Sequence, residues 1–125
     1  MAVKLSSRQQ AQVAVLETFP PRMETIHRLI EEIAGLRADE QVVRRLGRTL
    51  DEMKAGASGM GLGALAETCG MMAIMSRRGG GIQMKVRGLR EGLASLKVNF
   101  DGAMRSATTP EKVEEKPPAK PGSSP

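Results

Sequence analysis

The sequence contains very few aromatic residues and a single cysteine. Aromatic side chains make up 2% of the 125 residues, with two phenylalanines and neither tryptophan nor tyrosine. A folded core must therefore be built from aliphatic side chains, with nine methionines available as flexible filler. Because one cysteine cannot form an internal disulfide, a disulfide-stapled fold is excluded and a cytoplasmic location is expected.

Long apolar runs and strand patterns are also missing. No stretch approaches the roughly 20 apolar residues of a membrane-spanning helix, so no membrane association is expected. β-Branched residues do not alternate with polar ones over any useful length, which argues against a fold based on sheets. The length of 125 residues allows one domain of ordinary globular composition.

The net charge of +5 is unevenly distributed along the chain. Basic and acidic residues balance at nine each in residues 1–76 and at three each in residues 108–125. Residues 77–107 contain seven basic residues and only two acidic ones. This excess favours an acidic protein surface as a partner, or nucleic acid bound through residues 77–105. The lack of aromatic stacking residues weakens the second interpretation.

Apolar residues recur at steps of three and four, which predicts helices through most of the chain. Four are expected over about residues 6–18, 21–36, 39–60 and 62–76. Pro20 is expected to end the first at Phe19, and Gly35 to end the second. A fifth and longest helix has an apolar seam that consists of Ile82, Val86, Leu89, Leu93, Leu96, Phe100, Ala103 and Ala107.

These elements predict an all-α fold over residues 1–107. We expect an antiparallel four-helix bundle preceded by a short extra N-terminal helix. Residues 108–125 contain five of the seven prolines and are expected to form a disordered tail. The protein is expected to be a monomer.

Small residues cluster at the centre of the chain, between Ala55 and Ala64. On the outer face of the third helix, Gly47 and Ala55 lie one turn before and after Asp51. The Asp51 carboxylate is therefore expected to stand without neighbouring bulk, with Arg48 and Lys54 close enough to pair weakly. A surface low in side-chain bulk lets a partner approach closely. The candidate docking residues are Arg44, Gly47, Arg48, Asp51, Lys54, Ala55 and Ser58.

This region resembles the histidine-containing phosphotransfer (HPt) domains of bacterial phosphorelays. Their motif has the form His-x-x-Lys-Gly-x-Ser/Ala-x-x-Leu/Met-Gly. Asp51 stands where the phosphoaccepting histidine would be, and Ala55 where the glycine would be. The resemblance covers roughly residues 5–107. The positions that match the motif and its continuation are Lys54, Ala57, Met60, Gly61, Leu62, Leu65, Ala66, Cys69 and Met72.

The resemblance implies a protein that is not an enzyme and needs no cofactor. Such a protein docks a receiver domain or a histidine kinase and modulates a two-component phosphorelay without carrying phosphate. One alternative is an active phosphotransfer protein that uses His27, the only histidine. His27 has neither a lysine at i+3 nor a small residue at i+4, so we expect it to be a boundary residue. The second alternative is nucleic-acid binding through residues 77–105. Cys69 is expected to be a buried apolar residue, and no metal site is expected.

Overall fold

The computed structural model describes residues 4–36 and 39–111, and all of its regular structure in these ranges is helical. The expectation of an all-α fold with a short first helix is therefore confirmed. No helix in the described ranges has both the length and the apolar character needed to span a bilayer. Of the predicted tail, Thr108 ends the last helix and residues 112–125 lie outside the described ranges. The helices are α1 (Ser7–Leu16), α2 (Phe19–Ala34), α3 (Glu40–Gly59), α4 (Gly63–Arg77) and α5 (Ile82–Thr108).

Helices α2 to α5 each pack against two of the others around a shared core. α3 contacts α2 and α4, while α5 contacts α4 and α2. Phe19 is the one aromatic residue among the buried side chains of the described ranges, and it stacks on Phe100 with ring centroids 6.1 Å apart. Each fully buried leucine or isoleucine contributes about 1.5–3 kcal/mol to the free energy of unfolding. The largest fully buried side chains are Leu16, Phe19, Ile26, Leu29, Ile30, Ile33, Leu46, Leu50, Met53, Leu65, Met72 and Leu89.

The apolar seam predicted for α5 is buried through the middle of that helix. Leu89, Leu93 and Leu96 are at most 5% exposed. Ile82 departs from the prediction, because its side chain is 41% exposed at the start of the helix. The seam therefore contacts the core from Val86 onward, and the first turn of α5 projects beyond it.

Helix α1 is joined to the end of α5 by a buried amide. Ser6 and Gln9 form a capping box, in which the Ser6 hydroxyl accepts from the Gln9 N–H and the Gln9 Oε1 accepts from the Ser6 N–H. The Gln9 Nε2 also donates to the carbonyl oxygens of Ser106, at 3.2 Å, and Thr109, at 2.6 Å. One side chain thus satisfies a backbone N–H at the start of α1 and two backbone carbonyls at the end of α5.

The turn between α1 and α2 differs from its prediction. α1 ends at Leu16, and Phe19 is the first residue of α2 rather than the end of α1. The first turn of a helix has no intrahelical partners for its N–H groups, so Pro20 and Pro21 are accommodated there. Phe19 is consequently held inside the core, where it is fully buried.

The end of α2 also differs in detail. Gly35 caps the helix but has an ordinary φ of −81°, and the following Leu36 adopts a left-handed φ of 59°. The Leu36 N–H closes the helix end by donating to the Ile33 carbonyl at 3.1 Å. This conformation costs a residue with a Cβ about 1–2 kcal/mol, whereas glycine adopts it freely.

We therefore predict that Leu36→Gly raises the free energy of unfolding by about 0.5–1 kcal/mol, measured by urea denaturation. Little burial is lost, because the Leu36 side chain is 76% exposed. Leu36→Ala is the matched control, since alanine keeps the strained φ and should give no such gain. A lower urea midpoint for Leu36→Gly would show that the leucine side chain contributes more by packing than its backbone costs.

Candidate functional site

An ion pair between α3 and α4 lies at the centre of the predicted docking surface. The Arg77 guanidinium contacts both carboxylate oxygens of Asp51, with Nη2–Oδ2 at 2.5 Å and Nη1–Oδ1 at 3.4 Å. Both side chains are about half exposed. A pair this open is screened by solvent and adds little to stability. Its main effect is to fix where the carboxylate and the guanidinium lie.

The pKa of Asp51 is lowered chiefly by its hydrogen bonds to Arg77. Partial burial is the next largest effect and opposes this, while the nearby charges of Arg77 and Lys54 lower the pKa further. The carboxyl therefore stays ionised below the pH at which it would ionise in the unfolded chain. The modest stabilisation from this pair is present at neutral pH and is lost as the pH falls through the lowered pKa.

Two glycines lie beneath cationic side chains that cross the α3–α4 interface in opposite directions. Arg77 of α4 lies over Gly47 of α3, where a Cβ would come within 2.9 Å of the Arg77 Nη2. Lys54 of α3 lies over Gly70 of α4, with its terminal carbons and Nζ 3.4 Å from where a Cβ would be. The missing side chain at Gly47 thus makes room for the Arg77 guanidinium, whereas a Cβ at Gly70 would only touch Lys54 at an ordinary van der Waals distance.

The prediction that Asp51 stands without neighbouring side chains is therefore wrong on the side of Gly47. Gly47 is buried beneath Arg77 and offers no open surface, because the space left by its missing side chain is filled from α4. Asp51 also pairs with Arg77 and not with Arg48, which was expected to be its neighbour. On the other side, Ala55 and Ser58 are exposed, as the prediction requires.

The remaining predicted docking residues lie on the same outward part of α3. Arg44 is exposed and pairs with Glu40 one turn earlier, at 3.3 Å. Arg48 and Lys54 are exposed as well. The structure thus brings Arg44, Arg48, Asp51, Lys54, Ala55 and Ser58 to one face, and adds Arg77 to them.

Two large apolar residues of α4 that the sequence did not indicate as exposed lie on the surface. Met71 and Ile74 are 59% and 58% exposed, although α4 is the most apolar of the helices. Both precede Arg77 on the outward side of α4, within two turns of it. In the sequence, Met71 and Ile74 stand beside the buried apolar residues Met72 and Ala73. The spacing of apolar residues therefore does not distinguish the exposed ones from the buried ones.

His27 and Cys69 lie away from this surface. His27 is exposed and borders a shallow groove of about 560 Å³ between α2 and α5, together with Glu24, Lys97 and Asp101. Cys69 is fully buried, and burial raises the pKa of its thiol to about 11. The thiol therefore remains protonated at neutral pH. In residues 4–36 and 39–111, no three His, Cys, Asp or Glu side chains gather as metal ligands would.

The basic segment of residues 77–105 is partly neutralised by contacts within the molecule. Arg77 pairs with Asp51, and Arg90 pairs with Glu31 of α2 through bonds of 2.7 and 3.0 Å. Lys85 donates to the Ser76 carbonyl at 3.3 Å. Fewer cations are thus free to bind phosphates than the sequence count indicates.

We predict that Gly47→Ala raises the pKa of the Asp51 carboxyl toward its ordinary value, as measured by a carboxyl-carbon NMR titration. The added methyl would clash with the Arg77 guanidinium and displace it from Asp51. Gly59→Ala in the same helix is the control, since a Cβ there meets nothing within 4 Å. An unchanged Asp51 pKa in Gly47→Ala would show that Arg77 reaches the carboxylate without lying over residue 47.

Comparison with known proteins identifies no relative of this chain. No protein-family model matches it, and neither a curated protein nor a solved structure gives a significant match. The surface around Asp51 is therefore interpreted from its own residues and contacts.

Proposed function

We propose that this protein is a non-catalytic, HPt-like docking protein that binds a receiver domain or a histidine kinase and modulates a two-component phosphorelay. The observation that carries the proposal is the Asp51–Arg77 ion pair at the centre of an exposed α3–α4 face. The residue at the phosphoacceptor position is held as an ion-paired carboxylate. The face around it remains open to a partner at Ala55 and Ser58.

The order of contacts between helices supports the fold that this proposal requires. Between α3 and α4, residue 47 meets 77 and residue 54 meets 70. Between α4 and α5, residue 75 meets 88 and residue 72 meets 92. Between α2 and α5, residue 19 meets 100 and residue 31 meets 90. In each of these three pairs of helices, the residue numbers of successive contacts rise along one helix and fall along the other. An antiparallel four-helix bundle of the HPt kind has this order of contacts.

The electrostatics of the face support a receiver domain as partner. In the HPt family the docking receiver presents an acidic pocket, and an isolated aspartate at position 51 would repel it. Here Arg77 and Lys54 both lower the pKa of Asp51, which means that their positive charges act at the carboxylate. Together with Arg48, they make the centre of the face more positive than negative, which complements an acidic partner.

The state of Asp51 supports a role without phosphoryl transfer. Both Asp51 oxygens accept hydrogen bonds from Arg77, and the guanidinium draws electron density away from them, which weakens the carboxylate as a nucleophile toward phosphorus. The guanidinium lowers the basicity of the carboxylate, as the lowered pKa records. Arg77 therefore makes Asp51 a poorer nucleophile while it fixes the charge at the docking centre.

We expect Ala55→Arg to weaken binding to the partner at least about tenfold, because added bulk and charge at an interface centre cannot be accommodated. Purified receiver domains and histidine kinases from the same organism are tested by titration calorimetry, and circular dichroism checks that the variant stays folded. Ala94→Arg is the control, since Ala94 is exposed on α5, away from this face. Equal affinities for the wild type and Ala55→Arg would place the interface elsewhere.

We also expect no phosphate on this protein after incubation with its partner kinase, receiver and ATP. Asp51 is ion-paired, and His27 lies in the α2–α5 groove without the docking residues around it. Mass spectrometry under conditions that preserve acid-labile phosphate provides the measurement. Phosphate on His27 would instead support an active phosphotransfer protein.

A further inference from the structure

A polar cleft with a volume of about 340 Å³ lies between the last two turns of α2 and the first turns of α3. This volume is at the lower end of the range for small-molecule sites, about 300–1,000 Å³. Four residues of α3 with side-chain N–H donors line the cleft, namely Gln41, Arg44, Arg45 and Arg48. Steps of three and four along a helix bring residues to one face, so these donors lie side by side. The cleft thus presents three guanidiniums and one amide together.

Two of the three arginines have no acidic partner in the part of the chain that the structure describes. Arg45 and Arg48 form no ion pair there, whereas Arg44 pairs with Glu40 at 3.3 Å. The Arg44–Glu40 pair is open to solvent, with side chains 66% and 86% exposed, so it holds Arg44 weakly. Like charges one turn apart on a helix repel each other. An anion bound between the guanidiniums would offset this repulsion.

Two carboxylates also line the cleft, and both have partners of their own. The Asp39 Oδ1 accepts the Val42 N–H at 3.0 Å, as the N-cap of α3. On the α2 side, Glu32 lies 4.0 Å from the Nε of Arg28, one turn earlier. In the described ranges, neither carboxylate forms an ion pair with an arginine of the cleft. Because three cations face two anions, the lining keeps a net positive charge.

The charge of the cleft and its donors indicate the class of ligand. The planar fork of an arginine matches the oxygens of a phosphate or a carboxylate. One carboxylate brings a single negative charge, which is enough for one of the two unpaired arginines. A phosphate group carries a charge of about −1.5 to −2 at pH 7 and has three acceptor oxygens, so it can satisfy both. Nucleic acid is favoured less, because none of the residues that line the cleft is an aromatic residue on which a base could stack.

We propose that this cleft binds a small phosphate dianion, which is either inorganic phosphate or the phosphate end of a small phosphorylated molecule. Arg45 and Arg48 bind its oxygens, and Arg44 and the Gln41 amide supply further donors. Leu29 contributes to the apolar part of the lining. Carbon atoms of a phosphorylated molecule would contact the cleft on that side.

The phosphate site goes beyond the proposed docking function and does not depend on it. Arg45 belongs to the cleft alone, whereas Arg44 and Arg48 are also part of the docking face around Asp51. Phosphate binding is measured on the purified protein, without a receiver domain or a kinase. Failure of one proposal would therefore leave the other untouched.

Titration of the full chain with inorganic phosphate provides the central test, with the ionic strength held constant by sodium chloride. NMR spectra of the arginine Nε–Hε groups should show saturable binding of one phosphate, with Arg45 and Arg48 shifted most. Arg45→Ala should weaken binding at least about tenfold, because hydrogen bonds from a charged donor are lost. Arg105→Ala is the matched control, since it removes the same charge from an exposed residue in the last turn of α5. Circular dichroism checks that both variants stay folded.

Two further measurements test the sign and the amount of charge. Glu32→Gln should bind phosphate at least as tightly as the wild type, because it removes a negative charge from the lining. Acetate should bind the wild type at least about tenfold more weakly than phosphate does, since one carboxylate engages a single arginine fork.

Glycerol 3-phosphate distinguishes the two sources of the phosphate group. Tighter binding than that of inorganic phosphate would assign the cleft to a phosphorylated molecule whose carbon atoms contact the lining. Equal or weaker binding would assign it to inorganic phosphate. Both results support a phosphate site.

Four results would overturn the proposal. The first is a set of NMR shifts that grow without saturation over all arginines, which would show ionic screening alone. The second is an affinity of Arg45→Ala no lower than that of Arg105→Ala. The third is acetate binding as tight as phosphate binding, which would show that the cleft does not select a dianion. The fourth is weaker phosphate binding in Glu32→Gln, which would show that the lining does not act as a site for anions.

Discussion

The fold depends on burial of the aliphatic seam of α5. Leu89, Leu93 and Leu96 are buried along one side of this helix, and α1, α2 and α4 all pack against it. With two aromatic residues in the whole chain, no single large side chain fills the centre, so the contribution is spread over many leucines, isoleucines and methionines. α3 is the one helix that does not contact α5, and it is held instead by α2 and α4. That arrangement leaves the outer side of α3 free to act as a surface.

Polar contacts then fix details that apolar packing leaves undetermined. Asp51–Arg77 links α3 to α4, and Glu31–Arg90 links α2 to α5. Each joins helices that are already packed together, and each is about half exposed, so neither provides much of the stability. These ion pairs instead fix the orientation of the side chains, since a guanidinium bound to both oxygens of a carboxylate holds both groups in one plane. At Asp51 this turns a residue with two free oxygens into part of a rigid, charged surface.

The sequence predicts the helices well and the contacts between them poorly. Steps of three and four identify the last four helices because each has a face that must be buried, whereas α1 has only a weak apolar face and is indicated by its Ser6 cap and by the prolines that follow it. The same pattern cannot show that Arg77 lies over Gly47, since these residues are 30 positions apart and only the packing of α3 on α4 brings them together. Leu36 and Met84, which line one groove, are likewise 48 positions apart in the sequence. At the end of α2, Gly35 was identified as the stop signal, but the left-handed conformation falls one residue later, where local sequence gives no reason to expect it.

The buried Gln9 amide has a consequence for how the molecule opens. Because one side chain bonds both the start of α1 and the last carbonyls of α5, neither end can fray without breaking the contacts of the other. Local unfolding at this pole therefore involves residues about 100 positions apart in a single event. In an exchange experiment, amide hydrogens in the first turn of α1 and the last turn of α5 would share one opening free energy. The two sequence-distant segments thus behave thermodynamically as one short unit of structure.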